Sequence, residues 1–326
     1  MSYIVKRVVQ LVITFFLTSF VCFAIIQLPP NDIVTRRMQV LKSQGATNVE
    51  STIETLKRIY NLDKPLLVQY GIWISGFVRG DFGYSLLRDI EARDLIAQRL
   101  FLTFLLILLS LLIAYMVAIM IGLYSATHQN SFFDHVFTFL GMIGLGTPDF
   151  LIALVFLYIT SMFFGWKAGG FFSPEFVEAS WSAARVFDLL KHLWGPVLIL
   201  TAYYAAGLIR IMRARTLDLL REQYVMVARA KGLSERTIIF RHVFRLAVNP
   251  LISIMGLQLA EVVSGGMMVS VVLNLPTLGP LLLEALLNQD MYLGGAILMI
   301  LIVLLLVGNL LVDITLALID PRIRYD

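Results

Sequence analysis

Cysteine is nearly absent from this chain. Cys22 is the one cysteine among 326 residues, which excludes an internal disulfide and a thiolate metal cluster. Charge is scarce as well: 15% of residues are charged, against about a quarter in an ordinary soluble domain. The four histidines, His128, His135, His192 and His242, are scattered and read as solvated interfacial residues, with no metal cluster implied. No G-x-x-x-x-G-K-[ST] run occurs, so no P-loop cradles a phosphate here. H-E-x-x-H and G-x-S-x-G are missing too. Low-complexity linkers and internal repeats are also missing. Nothing in the pattern points to an enzyme.

What the chain does have is oil. Hydrophobic residues make up 59%, and the mean hydropathy is +0.83. Runs longer than the ~18 apolar residues that mark a membrane helix recur along the sequence. The spacing predicts six spans at about 8–28, 100–126, 136–164, 194–212, 249–273 and 291–319. Lys6 and Arg7 precede the first run as in a signal peptide. That run exceeds the ~7–15 residues of a cleavable core and no A-x-A site follows, so it reads as an uncleaved span. Cys22, inside it, reads as a small buried apolar residue.

The net charge of +4 is explained by membrane topology without nucleic acid. Basic residues accumulate in cytoplasmic loops. The connection between spans four and five carries Arg213, Arg215, Arg221, Arg229, Lys231, Arg236, Arg241 and Arg245, against Asp218, Glu222 and Glu235. The loop between spans five and six has neither Lys nor Arg. With an even number of spans, both termini and the basic connection are expected in the cytoplasm. The long segment 29–99 then lies outside. Its "STIE" at 51–54 is a capping-box pattern, "NLDKP" a turn, and "LLVQYGIWISGFV" an apolar helix too short to span and suited to a membrane surface. "RGDFG" ends it. The outer loop 165–193 is aromatic and mixed in charge.

The basic connection is too polar to enter a bilayer. Leu217, Leu220, Tyr224, Val227 and Ala228 recur near a helical period. Gly232 reads as the residue past a helix end, and Ser234 as the cap of a second helix over 235–245. A helix, a tight turn with small residues Ala228, Ala230 and Gly232, and a second helix are therefore expected. Charge and period alone leave two readings open: a docking turn, or an amphipathic face on anionic lipid.

The stretch "YVMVARAKGLSERTIIFRHVFRLAVNPLIS" resembles the cytoplasmic EAA-loop signature of ATP-binding-cassette importer permeases, in the peptide/nickel/oligosaccharide (Opp/Dpp B-type) branch. The resemblance continues in "LDKPLLVQYGIWISGFVRGDFGYSL", "LPTLGPLLLEALLNQDMYL" and "GNLLVDITLALIDPRIRYD", and so covers almost the whole chain. It implies an all-α integral membrane fold of six helices, the type I importer permease (MetI-like) fold, set in a bacterial inner membrane. It implies a second homologous permease subunit, two ATPase subunits that bind ATP and Mg, and an extracytoplasmic substrate-binding protein as partners, with no cofactor on this chain. Glu222, Tyr224, Ala228, Arg229, Ala230, Lys231, Gly232 and Arg236 would then form the ATPase-coupling handle. Arg229, Lys231 and Arg236 would pair with ATPase carboxylates.

The chain also departs from the family. Where the general consensus has Glu-Ala before the Gly, Met226 and Val227 stand here, so a more apolar docking contact is expected. Ser270 and Thr277 replace a Glu and a Gly of the family's span-five pattern. Within the membrane, Gln258 and Glu261 lie three apart on one face. Glu261 either lines a translocation path with Gly265 and Gly266 or is a structural partner at a subunit interface. Asn309 and Asp313 read as structural. "GLGTP" at 144–148 and "SGG" at 264–266 allow close packing or a bend, with packing favoured. The expected organisation is a first span (1–28), an outer segment (29–99), a core (100–320) holding the coupling loop 213–248, and a cytoplasmic tail (320–326). Oligopeptide is the expected substrate, with oligosaccharide or nickel as alternatives. Aromatic Trp166, Phe171 and Trp181 suit peptide or sugar. The rivals from other classes are an ATP-independent transporter or channel and an ABC exporter subunit.

Overall fold

The computed structural model describes residues 2–27, 63–85, 88, 90–164, 169–177 and 179–319. The capping-box stretch 51–54, Trp166 and the tail 320–326 lie outside the described residues. Among the described residues there are ten helices of eight or more residues: α1 Ser2–Gln27, α2 Leu66–Val78, α3 Ala92–Thr127, α4 Phe132–Gly146, α5 Asp149–Phe164, α6 Ala183–Leu220, α7 Gln223–Ala230, α8 Asn249–Val272, α9 Leu278–Leu287 and α10 Met291–Ile319. A two-residue antiparallel hairpin, β1 Tyr84–Ser85 and β2 Ile90–Glu91, precedes α3. Among the described residues, five helical stretches are long and apolar enough to cross a membrane, or six where the bent pair α4–α5 is counted as one span. The last span, expected at 291–319, matches α10 in both bounds.

Two compact units share the chain, one from 1–102 and 277–310, the other from 103–276 and 311–326. In the first, the short apolar helix α2, read from the sequence as suited to a membrane surface, has a partner within the chain. It packs back against α1, with pairs running from Gln27 Nε2 donating to Gln69 Oε1 at 3.1 Å to Phe15 facing Phe77. Ser19 Oγ and Tyr70 Oη sit 2.7 Å apart between them, and Phe23 meets both Tyr70 and Trp73. Cys22 is buried as an apolar residue. Past α2, Gly80 takes positive φ and ends the helix, and Gly83 takes positive φ just before β1. The hairpin, unmarked in the sequence, is tied down by Ser85 Oγ donating to Asp290 at 2.6 Å and by Arg88 donating twice to Glu284.

In the second unit, the expected single span 136–164 is broken. Its halves α4 and α5 bend by 107°. Pro148 disfavours helical backbone at the residue before it, and Thr147 is indeed extended at φ −110 and ψ 121. "GLGTP" is therefore a bend. The fourth span is longer than the apolar run at 194–212, because Ser182 caps α6 by accepting from Arg185 N and starts the helix earlier. Part of the expected outer loop is thus helix. Leu200, Leu208 and Met212 on α6 are buried, and α6 packs on α4, α5 and α8. Phe171 is wholly buried and belongs to the core, whereas Trp181 is exposed and covers the Arg185 guanidinium together with Phe172.

Candidate functional site: the basic turn and an intramembrane polar strip

Helix α6 does not run on through the basic connection. It stops at Leu220, and the extended backbone of Glu222 starts α7 afresh. Leu217 and Leu220 thus belong to the preceding span. The turn after α7 is closed locally. Gly232 sits at φ +74, the left-handed conformation that glycine adopts without a Cβ penalty. Its N–H donates to Arg229 O at 2.9 Å, and Leu233 N donates to Ala228 O at 3.3 Å, the paired bonds of a Schellman end. Ser234 then caps the next helix, accepting from Thr237 N at 3.4 Å. Three short pieces, Glu235–Thr237, a π-helical Ile238–Val243 and Phe244–Ala247, lead on to α8.

Arg229 reaches across the turn and grips Glu235, donating from Nε at 2.6 Å and from Nη2 at 3.2 Å. That hydrogen bond holds the guanidinium above its already high range. Arg229 is therefore engaged within its own chain. Lys231 and Arg236 make no ion pair among the described residues. Val225 and Ala228 point inward and are buried, so Ala228 serves the chain's own packing and not an outer fit. Glu222, Tyr224, Ala230, Lys231, Gly232 and Arg236 are exposed. So are Met226 at 54%, Val227 at 52% and Leu233 at 41%. The apolar side of the turn therefore rests on the two residues that depart from the family consensus, together with Leu233.

The second site lies on α8. Gln258 Nε2 donates to Glu261 Oε2 at 3.0 Å, and Tyr204 Oη of α6 donates to the Glu261 carbonyl at 2.8 Å. Tyr204 is buried, whereas the Glu261 side chain is exposed on the single chain. One turn further on, Gly265 admits a close approach: a Cβ there would collide with the Asp149 carboxylate and the Tyr204 hydroxyl. Gly266 is buried, with Leu200 of α6 its nearest neighbour, so it packs within its own chain. Asp149 was not singled out from the sequence. The signal was present, an acid directly after Pro148 inside an apolar run, and an ionisable residue at membrane depth is costly. The histidines stay apart. His128 stacks on Tyr124, and His192 bonds the Asp188 carbonyl. No group of three metal-ligating side chains occurs among the described residues.

A helical chain with five to six membrane-crossing stretches, an exposed capped turn between two of them and acids at membrane depth is a multi-pass transport protein. It belongs to the family described as the binding-protein-dependent transport system inner membrane component, which matches residues 118–325. The family's N-terminal domain matches residues 1–107. Oligopeptide transport system permease protein AppB of Bacillus subtilis is 35% identical over 99% of both chains. A putative peptide permease protein of Brucella suis is 34% identical over 94% of this chain and 93% of its own. Oligopeptide transport system permease protein OppB of Haemophilus influenzae is 29% identical over the full length of both. The chain is thus a non-catalytic membrane subunit of an ABC importer with the type I permease fold, working within a transporter complex.

Proposed function

We propose that this chain is one permease subunit of an ATP-driven, binding-protein-dependent importer of oligopeptides, and that the turn at Gly232 docks in a cleft of a partner ATPase. The observation that carries the reading is this turn, closed by its own hydrogen bonds and ion pair and presenting Met226, Val227, Ala230 and Leu233 outward. A handle that transmits motion must be stiff and must not be spent on its own chain. Lys231 and Arg236 are available to carboxylates of the partner. ATP and Mg reside on two ATPase subunits, a second homologous permease completes the pore, and an outer binding protein delivers the peptide. The basic connection and both termini face the cytoplasm, in keeping with the positive-inside bias. The segment 29–99 is external, and 213–248 is the coupling part of the core 100–320. Gln258, Glu261 and Gly265 lie along the translocation path, joined there by Asp149.

The peptide substrate is supported by the names of the relatives, and the ATPase partner by the exposed turn. The test is uptake of a labelled peptide into proteoliposomes holding the assembled transporter. Gly232→Trp is expected to abolish ATP-dependent uptake while membrane insertion is kept. Gly232→Ala adds backbone strain without bulk and is expected to retain part of it. Uptake by the chain with no ATPase present, or unchanged uptake by Gly232→Trp, overturns the reading.

A further inference from the structure

A cavity of about 780 Å³ opens within the first unit. Its walls come from the C-terminal end of α1, one side of α2, the loop after it, and the first residues of α3 and α10. The ends of three membrane-spanning helices meet there, so the cavity sits at one membrane face. Trp73, Tyr84 and Tyr292 line it, the ring types that collect at headgroup level. Phe23, Ile72 and Met291 supply apolar wall, and the bonded pair Gln27 and Gln69 supplies amide groups.

The charges are arranged in a specific way. The loop after α2 brings Arg79 and Asp81, and the junction of β2 with α3 brings Glu91 and Arg93. Each segment thus contributes one cation and one anion, two positions apart. None of the four forms an ion pair among the described residues. The lining is neutral overall but carries both signs. An anionic headgroup would meet two opposing carboxylates, and a simple cation would meet two guanidinium groups. A zwitterion satisfies both sets. Arginine suits a phosphate because its planar fork donates in pairs. A primary ammonium can donate to the carboxylates, which a quaternary one cannot. The walls are held by long-range ties, with Ser85 on Asp290, Arg88 on Glu284, and Gly83 so close to Tyr292 that a Cβ would reach its ring at 2.6 Å.

We infer that this cavity is a binding site for a zwitterionic phospholipid with a primary ammonium, of the phosphatidylethanolamine type. The phosphate lies on Arg79 and Arg93, the ammonium on Asp81 and Glu91, and the upper acyl chain along Phe23, Ile72 and Met291. The inference rests on membrane embedding alone, so it stands or falls separately from the importer reading.

The experiment is native mass spectrometry of the full chain in detergent. It is titrated with phosphatidylethanolamine, phosphatidylcholine and phosphatidylglycerol of identical acyl chains. Two exposed ion pairs together are worth about tenfold in affinity. Phosphatidylethanolamine is therefore expected to be retained about tenfold more tightly than the other two. Arg79→Gln with Arg93→Gln should weaken all three lipids, since each carries the phosphate. Asp81→Asn with Glu91→Gln should shift it toward phosphatidylglycerol. All four side chains are exposed, so the variants should keep the wild-type elution profile. A photoactivatable phosphatidylethanolamine should label the peptide holding Ile72 and Trp73. Equal retention of the three lipids, a phosphatidylethanolamine preference that survives Asp81→Asn with Glu91→Gln, unchanged retention in Arg79→Gln with Arg93→Gln, or labelling elsewhere overturns the inference. Displacement of the lipid by tetra-alanine would overturn it too, and would assign the cavity to peptide.

Discussion

Removing the Arg213 guanidinium should cost this protein more than any surface charge. Arg213 donates from Nε to Asp134 Oδ1 at 2.7 Å and from Nη2 to Oδ2 at 2.8 Å. The Asp134 side chain is 2% exposed and that of Arg213 28%. The backbone N–H of Asn130 also donates to this carboxylate, at 3.0 Å. Arg213→Gln therefore strands a buried carboxylate, and breaking a buried pair from one side costs about 3–5 kcal/mol. A loss of 3 kcal/mol corresponds to a fall in Tm of roughly 6–12 °C. Asp134→Leu with Arg213→Met removes both charges and should recover most of the loss, since apolar replacement of both partners is often near neutral. The assay is thermal unfolding of the purified chain in detergent, followed by tryptophan fluorescence. If the single variant lies within about 0.5 kcal/mol of wild type, the range of ordinary surface substitutions, the pair is solvated and the reasoning fails.

Three further outcomes are expected. Gly265→Ala should reduce assembly by overpacking, on the order of 1–3 kcal/mol, and Asp149→Ala with Tyr204→Phe in the same chain should restore it, because these side chains occupy the space; size-exclusion recovery reads both, and failure of the rescue removes the close-approach account. Arg229→Gln should cost under about 1 kcal/mol and lose even that in high salt, because its pair with Glu235 is 44% and 59% exposed; Tm against salt concentration checks it. Ser85→Val should destabilise the first unit by about 1–3 kcal/mol, since it takes a donor from buried Asp290, whereas Arg88→Gln should have a smaller effect because Arg88 and Glu284 are about one-third exposed. Thermal melts of the two variants side by side decide the order.

Membrane class, the last span and the Gly232–Ser234 turn were legible before any coordinates. An apolar run must be long to cross a bilayer, and the bonds that close the turn join residues within five positions of each other. The inward aspect of Ala228 was not legible, because helical period allows a small residue on either face until a neighbour packs there. The break at Glu222 was also hidden, since Leu217 and Leu220 fit the helical period on both sides of it. Met226 and Val227 read as departures from a consensus, and their exposure makes them the apolar part of the proposed contact.

Composition and local pattern thus determined a multi-pass helical membrane protein with a capped turn between two spans, because hydropathy and capping act over a few neighbouring residues; the permease class came from the resemblance of its motifs. Only the tertiary structure decided the 107° bend angle, the meeting of Asp149 and Tyr204 at Gly265, and the pairing of Asp134 with Arg213 across 79 positions. Those contacts depend on how separate helices approach, and no short stretch of chain carries that geometry.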